Sequence, residues 1–145
     1  VSRSVIRITE RHLQQMLEHI QACLPEEACG MLGGKGDVVQ QVLPVTNAAH
    51  SPYRFRMEPA EQVQTMQRME DEGMILVGIY HSHPSGPAGL SETDLAEAAY
   101  PEATYLVWWS GPGGWEFQAF DLGEGEVRQV LIDSCPRRTE DDLQD

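Results

Sequence analysis

The chain has 145 residues, of which 41% are hydrophobic, and its 23 acidic against 10 basic residues leave a net charge of −13. That length suits one domain with a core of its own. The charge excludes a nucleic-acid partner, because no basic run exists to displace phosphate counterions. No apolar run approaches the ~18 residues of a membrane span, and the opening VSRSVIRITE lacks the apolar core of an export signal. Cys23, Cys29 and Cys135 show no C-x-x-C spacing, so reduced thiols and a cytoplasmic setting are expected.

Leu13, Met16, Leu17, Ile20 and Leu24 recur at helical spacing, with Thr9 as N-cap and Pro25 as stop. A helix is therefore expected over Thr9 to Leu24, with His12 and His19 off its apolar stripe and solvated. Cys29 to Leu32 reads as a short strand and Val38 to Val45 as its return. The glycine run between them, Gly33 to Asp37, reads as the hairpin turn and lacks the form of a phosphate loop. Asn47 to Pro52 is expected as a loop holding a solvated His50, followed by a short strand at Tyr53 to Met57. Pro59 opens a second helix running to Gly73, with Val63, Met66 and Met69 or Glu70 facing inward.

Met74 to Ser82 is a near-continuous apolar run and reads as a buried central strand. A third helix is expected from Glu92 to Tyr100, ended by Pro101. Three more strands follow at Thr104 to Trp109, Trp115 to Asp121 and Val127 to Ile132, separated by glycine-rich turns. Trp108 and Trp109 point in opposite directions, one to the core and one outward. The expected organisation is one domain over 1–133 and an acidic, disordered tail over 134–145. The expected fold class is α/β, a curved mixed β-sheet flanked by helices.

The chemistry concentrates in HSHPSGPAGLSETD, from His81 to Asp94. Residues i and i+2 of a strand share a face, so His81 and His83 can aim two imidazoles at one point. Ser91 and Asp94 stand where a helix opens, in a spacing that is also an ordinary capping box. Strand end, loop and helix start thus bring together two nitrogens and one carboxylate. Three protein ligands with a fourth position open are the layout of a catalytic zinc site. Upstream, Glu26 and Glu27 precede the short apolar run at Cys29, where a carboxylate is placed to move a proton during hydrolysis.

Glu27-Ala28-Cys29-Gly30 followed by His81, His83, Ser91 and Asp94 resembles the signature of the JAMM (MPN+) zinc metalloproteases, in their compact prokaryotic form. The resemblance runs from about Ile6 to Ile132 and takes in Asn47 and Arg54-Phe55. It implies the MPN fold, which is cytidine deaminase-like, and one Zn²⁺ held by His81, His83 and Asp94. It further implies Glu27 as general acid/base and Ser91 as a partner of the tetrahedral oxyanion. The implied substrate is the peptide or isopeptide bond after the C-terminal Gly-Gly of a ubiquitin-like or sulfur-carrier protein, in maturation or deconjugation. A zinc hydrolase of small peptides or amides, and a scaffold within a larger assembly, are the alternative readings.

Overall fold

A computed structural model describes residues 3–123 and 126–134 of the chain; the expected tail from 135 onward, with Cys135, lies outside the described residues. The strands are β1 (Val5–Arg7), β2 (Cys29–Lys35), β3 (Val38–Val45), β4 (Ile75–His83), β5 (Thr104–Gly111), β6 (Gly114–Gly123) and β7 (Glu126–Asp133). The helices are α1 (Glu10–Cys23), α2 (Pro59–Asp71) and α3 (Glu92–Glu97). Among the described residues no helix is long and apolar enough to cross a membrane.

The strands hydrogen-bond in the order β1-β3-β2-β4-β5-β6-β7, and β1 joins β7 to close the sheet on itself. Pairing is mixed, as expected: β4–β5 is parallel, as are both pairings of β1, while β2–β3, β2–β4, β5–β6 and β6–β7 are antiparallel. The closure differs from the sequence expectation, which places no strand before α1. The signal of β1 is short: Ile6 and Ile8 alternate with Arg7, and both isoleucines are buried. The Arg7 guanidinium binds Asp133 at 2.8 Å across the seam. Exposed ion pairs contribute little, so burial of Ile6 and Ile8 is the larger closing force.

The two faces of the sheet carry separate cores. Met16 and Ile20 of α1 pack with Leu32, Val77, Tyr80, Leu106 and Trp108 on one face. Met69 of α2 packs with Met31, Leu43, Leu76, Ile79 and Tyr105 on the other. Alternation of side chains along each strand sorts the residues between the two layers. Trp108 is the core tryptophan, its ring tilted against Phe117 with centroids 4.5 Å apart, and Trp109 is half-buried.

Several local expectations change. Gly33 and Gly34 lie inside β2, which runs to Lys35, because both pair with β3 and β4; a side chain at Gly34 would stand 1.9 Å from the Val38 carbonyl oxygen, so the pairing needs glycine there. The strand expected at Tyr53 to Met57 does not form; a lone bridge joins Met57 to Asn47. The Asn47 side chain takes the bonds a neighbouring strand would have made. The helix expected to Tyr100 ends at Glu97, where Ala98 turns to extended backbone. Val63 faces outward at 70% exposure, and Met66 with Met69 makes the inner side of α2. His12 is buried rather than solvated, since it stands four residues before Met16 on the same helical face. His19 is half-buried and bonds the Tyr80 hydroxyl through Nδ1 at 2.7 Å.

Candidate metal centre

β4 is covered on both edges by β2 and β5, and its last residues carry the two histidines. His81 and His83 are 0% and 1% exposed. Their Nε2 atoms stand 3.1 Å apart, as i and i+2 on one strand face require. Asp94, in the first turn of α3, completes the group: its Oδ2 lies 3.1 Å from His81 Nε2 and 3.0 Å from His83 Nε2. Ser91 holds it there through the capping box. The Ser91 N–H donates to Asp94 Oδ2 at 2.9 Å, and the Asp94 N–H donates to Ser91 Oγ at 3.0 Å.

His83 Nδ1 lies 2.7 Å from the Pro87 carbonyl oxygen. A carbonyl only accepts, so Nδ1 carries the proton, and in the neutral ring Nε2 is left as a lone pair. A lone pair aimed at another imidazole nitrogen and a carboxylate oxygen at 3.0–3.1 Å calls for a proton or a cation between them. Ligands of a tetrahedral zinc, bonded at about 2.0–2.2 Å, stand about 3.3–3.6 Å from one another. The observed edges are a few tenths of an ångström shorter, so the donor set fits a small divalent cation. The carbonyl behind His83 is the kind of partner that fixes the tautomer of a metal-binding histidine. His81 Nδ1 is buried without a hydrogen-bond partner among the described residues, and the Phe55 ring stacks on this imidazole at 4.6 Å.

Glu27 approaches from the start of β2. It is 2% exposed, its Oε1 has no hydrogen-bond partner among the described residues, and its carboxylate lies within 4.8 Å of ligand atoms on both histidines. Glu27, His81 and His83 thus form a group able to hold a metal ion, and Asp94 makes the tighter contacts with the histidines. The nearer carboxylate suits direct ligation, and the farther one leaves room for a small molecule in between. The neighbouring residues anchor Glu27 through its backbone. Asn47 Nδ2 donates to the Glu27 carbonyl at 3.0 Å, the Glu27 N–H donates to the Ser51 carbonyl at 2.9 Å, and the Ala28 N–H donates to Ser82 Oγ at 2.8 Å. Gly30 admits the Tyr80 ring beside β2, where a Cβ would meet it at 2.3 Å.

The electrostatics separate the two carboxylates. Burial pushes the Glu27 pKa up to about 8, with His83 opposing and Asp94 reinforcing the shift. Burial also acts to raise Asp94, but its close contacts with the His81 and His83 imidazoles outweigh it and hold Asp94 well below the usual carboxylate range. Burial lowers His81 despite Asp94. For His83 burial acts downward, and the Asp94 bond, the Pro87 carbonyl and the charges of Asp94 and Glu27 together raise it. Cys29, opposite His81 in register, is pushed up to about 12 by burial and stays a thiol.

The structure brings together His81, His83, Asp94 and Glu27, and it places Ser91 at the helix cap beside them. His50 is exposed and pairs with Glu26 at 3.3 Å. The sequence did not show the work of Asn47, which ties the Glu27 loop to the segment at Arg54 and Arg56, or the stack of Phe55 on His81. The only signal available was their place in the resemblance.

A closed mixed sheet that ends a buried strand in two convergent histidines, faced by an aspartate and a buried glutamate, defines a metal-dependent hydrolase of the JAB/MPN class. The model of prokaryotic homologues of the JAB domain matches residues 9–121. A CysO-cysteine peptidase of Mycobacterium tuberculosis is 36% identical over 120 residues, 81% of this chain and 82% of that protein. A probable TtuB-protein conjugate cleaving protease of Thermus thermophilus is 32% identical over 129 residues, 88% of this chain and 83% of that protein. The solution structure of a Desulfitobacterium hafniense protein superposes with a TM-score of 0.79 at 35% identity, covering 88% of this chain and 90% of that one. A JAB1/MPN domain protein of Archaeoglobus fulgidus, at 21% identity and a TM-score of 0.57, shares the fold over 89% of this chain and 100% of its own. The chain belongs to the family of prokaryotic JAB-domain homologues, whose relatives at this similarity are named peptidases and proteases.

Proposed function

We propose that the chain is a zinc peptidase that hydrolyses the bond after the C-terminal Gly-Gly of a ubiquitin-like or sulfur-carrier protein, in the cytoplasm. The observation that carries this reading is the triangle of His81 Nε2, His83 Nε2 and Asp94 Oδ2, with 3.0–3.1 Å edges, beside a buried carboxylate of raised pKa. The relatives named for CysO-cysteine and for TtuB conjugates support the substrate class.

His81, His83 and Asp94 would hold the ion. Bound there, Zn²⁺ supplies Lewis-acid polarisation of the scissile carbonyl and a more acidic water. Glu27 takes a proton from the attacking water and delivers it to the leaving nitrogen. A carboxyl group with a pKa near neutrality can both accept and return a proton. Ser91 Oγ already accepts the Asp94 N–H, so its own O–H is free to donate to the oxygen on which negative charge develops. Asp94 keeps its charge at working pH and so remains a ligand rather than a proton carrier.

The test is a set of ubiquitin-like and sulfur-carrier proteins, each extended by a short peptide after Gly-Gly and incubated with the zinc-loaded chain. Mass spectrometry reads the cut site. The expected result is cleavage after Gly-Gly that a chelator abolishes and added zinc restores. Intact fusions in the presence of confirmed bound zinc would sink the proposal in favour of a small-amide hydrolase or a scaffold.

A further inference from the structure

Beside the metal ligands lies a cleft of about 270 Å³, walled by Arg54 to Met57, by Gln62 of α2 and by the segment from Glu97 to Tyr100. His81 and Asp94 line it. Its aromatic wall includes Phe55, the ring stacked on His81, so the space begins where the metal site ends. Two arginines face this small volume in a chain with only 10 basic residues against 23 acidic ones. Arg54 is matched by Glu97 at 3.0 Å. The Arg56 guanidinium makes no hydrogen bond or ion pair among the described residues.

Glycine has no side chain to fill such a space, so the cleft suits a residue flanking Gly-Gly. Charge distinguishes the flanks. A residue before Gly-Gly lies within the chain and brings no backbone charge. A single amino acid after it ends in a carboxylate, which the planar fork of arginine binds through two parallel bonds. We infer that the cleft receives the leaving group as one terminal amino acid and that Arg56 binds its α-carboxylate. This rests on the peptidase activity proposed above. Water adds to the glycine carbonyl carbon and the C–N bond breaks. The nitrogen leaves with the proton from Glu27, giving a Gly-Gly carboxylate and a free amino acid with no further co-reactant.

The probe is a synthetic heptapeptide ending in Leu-Gly-Gly-Ala, made with a free C-terminal carboxylate and as the C-terminal amide. Binding is measured by NMR titration on the full zinc-loaded chain carrying Glu27→Gln, so that neither peptide turns over. The acid is expected to bind about tenfold or more tighter than the amide, the usual contribution of a charge-assisted bond. Adding Arg56→Gln should bring that ratio to near one, and Arg56→Lys should restore part of it. Equal binding, binding of neither peptide, or a ratio unchanged by Arg56→Gln overturns the inference; the last outcome places the carboxylate on the metal instead. Cleavage by the chain with Glu27 intact separates the two proposals. Cutting without acid preference removes the role of Arg56 and keeps the peptidase. Acid-selective binding with no cutting of either peptide removes the peptidase and keeps the carboxylate site.

Discussion

The metal centre and the cleft beside it lie side by side but are built differently. The centre rests on the end of β4, a strand paired on both edges, and its two histidines are almost wholly buried. The cleft is made from the irregular segment between β3 and α2 and from the six-residue α3 with the turn after it, and its arginines reach solvent. Chemistry that needs atoms within a few tenths of an ångström sits on paired strands. Recognition, which can vary among relatives, sits on loops that the scaffold holds out. Asp94 and Asn47 join the two regions. Asp94 belongs to both, and Asn47 binds the Glu27 carbonyl on one side and the Arg54 carbonyl and Arg56 N–H on the other.

The largest effect should come from the strand-built side. Asp94→Ala removes a donor in contact with both histidines, and is expected to lose bound zinc and reduce turnover to background. Glu27→Gln should keep zinc and lower turnover by about 10²–10⁴, the range of a general acid–base group. Metal content by elemental analysis, set beside peptide cleavage, distinguishes them. A Glu27→Gln protein that retains full turnover would remove Glu27 from the chemistry and break the division between ligand and proton carrier.

An intermediate effect is expected at the joint. Asn47→Ala leaves two carbonyls and two N–H groups without their partner, at about 1–3 kcal/mol for each one that stays buried and unsatisfied. Urea denaturation should show the lost stability. Turnover should fall by roughly tenfold because Glu27 loses an anchor. Turnover unchanged in a clearly destabilised Asn47→Ala would show that the two regions are held apart by other contacts.

The smallest effect is one of pH, in the metal-free protein. Glu27 ionises near 8 when folded and near 4.5 otherwise. As pH rises from about 4.5, the unfolded chain releases this proton first, so folding stability from this group is lost up to about pH 8. Glu27→Gln lacks the group. The melting temperature of the variant should exceed that of the parent by more at pH 8 than at pH 5, by roughly 5 °C or more. A gap that stays constant across that range would mean that Glu27 is not held in a medium that resists its charge.

What could be read directly from the chain is what depends on short-range periodicity. His81 and His83 share a face because strands alternate, and Asp94 faces Ser91 because a capping box spans three residues. Thr9 caps α1 and Pro59 opens α2 for equally local reasons. The family signature also covered Glu27, whose distance along the chain from His81 no periodicity bridges. Only the tertiary structure decided the rest, because each item depends on partners far apart in sequence. Three residues of β1 close the sheet only by meeting β7 and β3. Gly33 and Gly34 belong to a strand because β3 and β4 pair with them, and Met69 and the Val38 carbonyl leave no room there for a side chain. His12 and His19 are drawn in by β3 and Tyr80, through the Gln40 carbonyl and the Tyr80 hydroxyl. Burial raises the Glu27 pKa, and the two imidazoles lower that of Asp94. Those opposite shifts arise only once β2, β4 and α3 come together, and they suit the two carboxylates to different tasks.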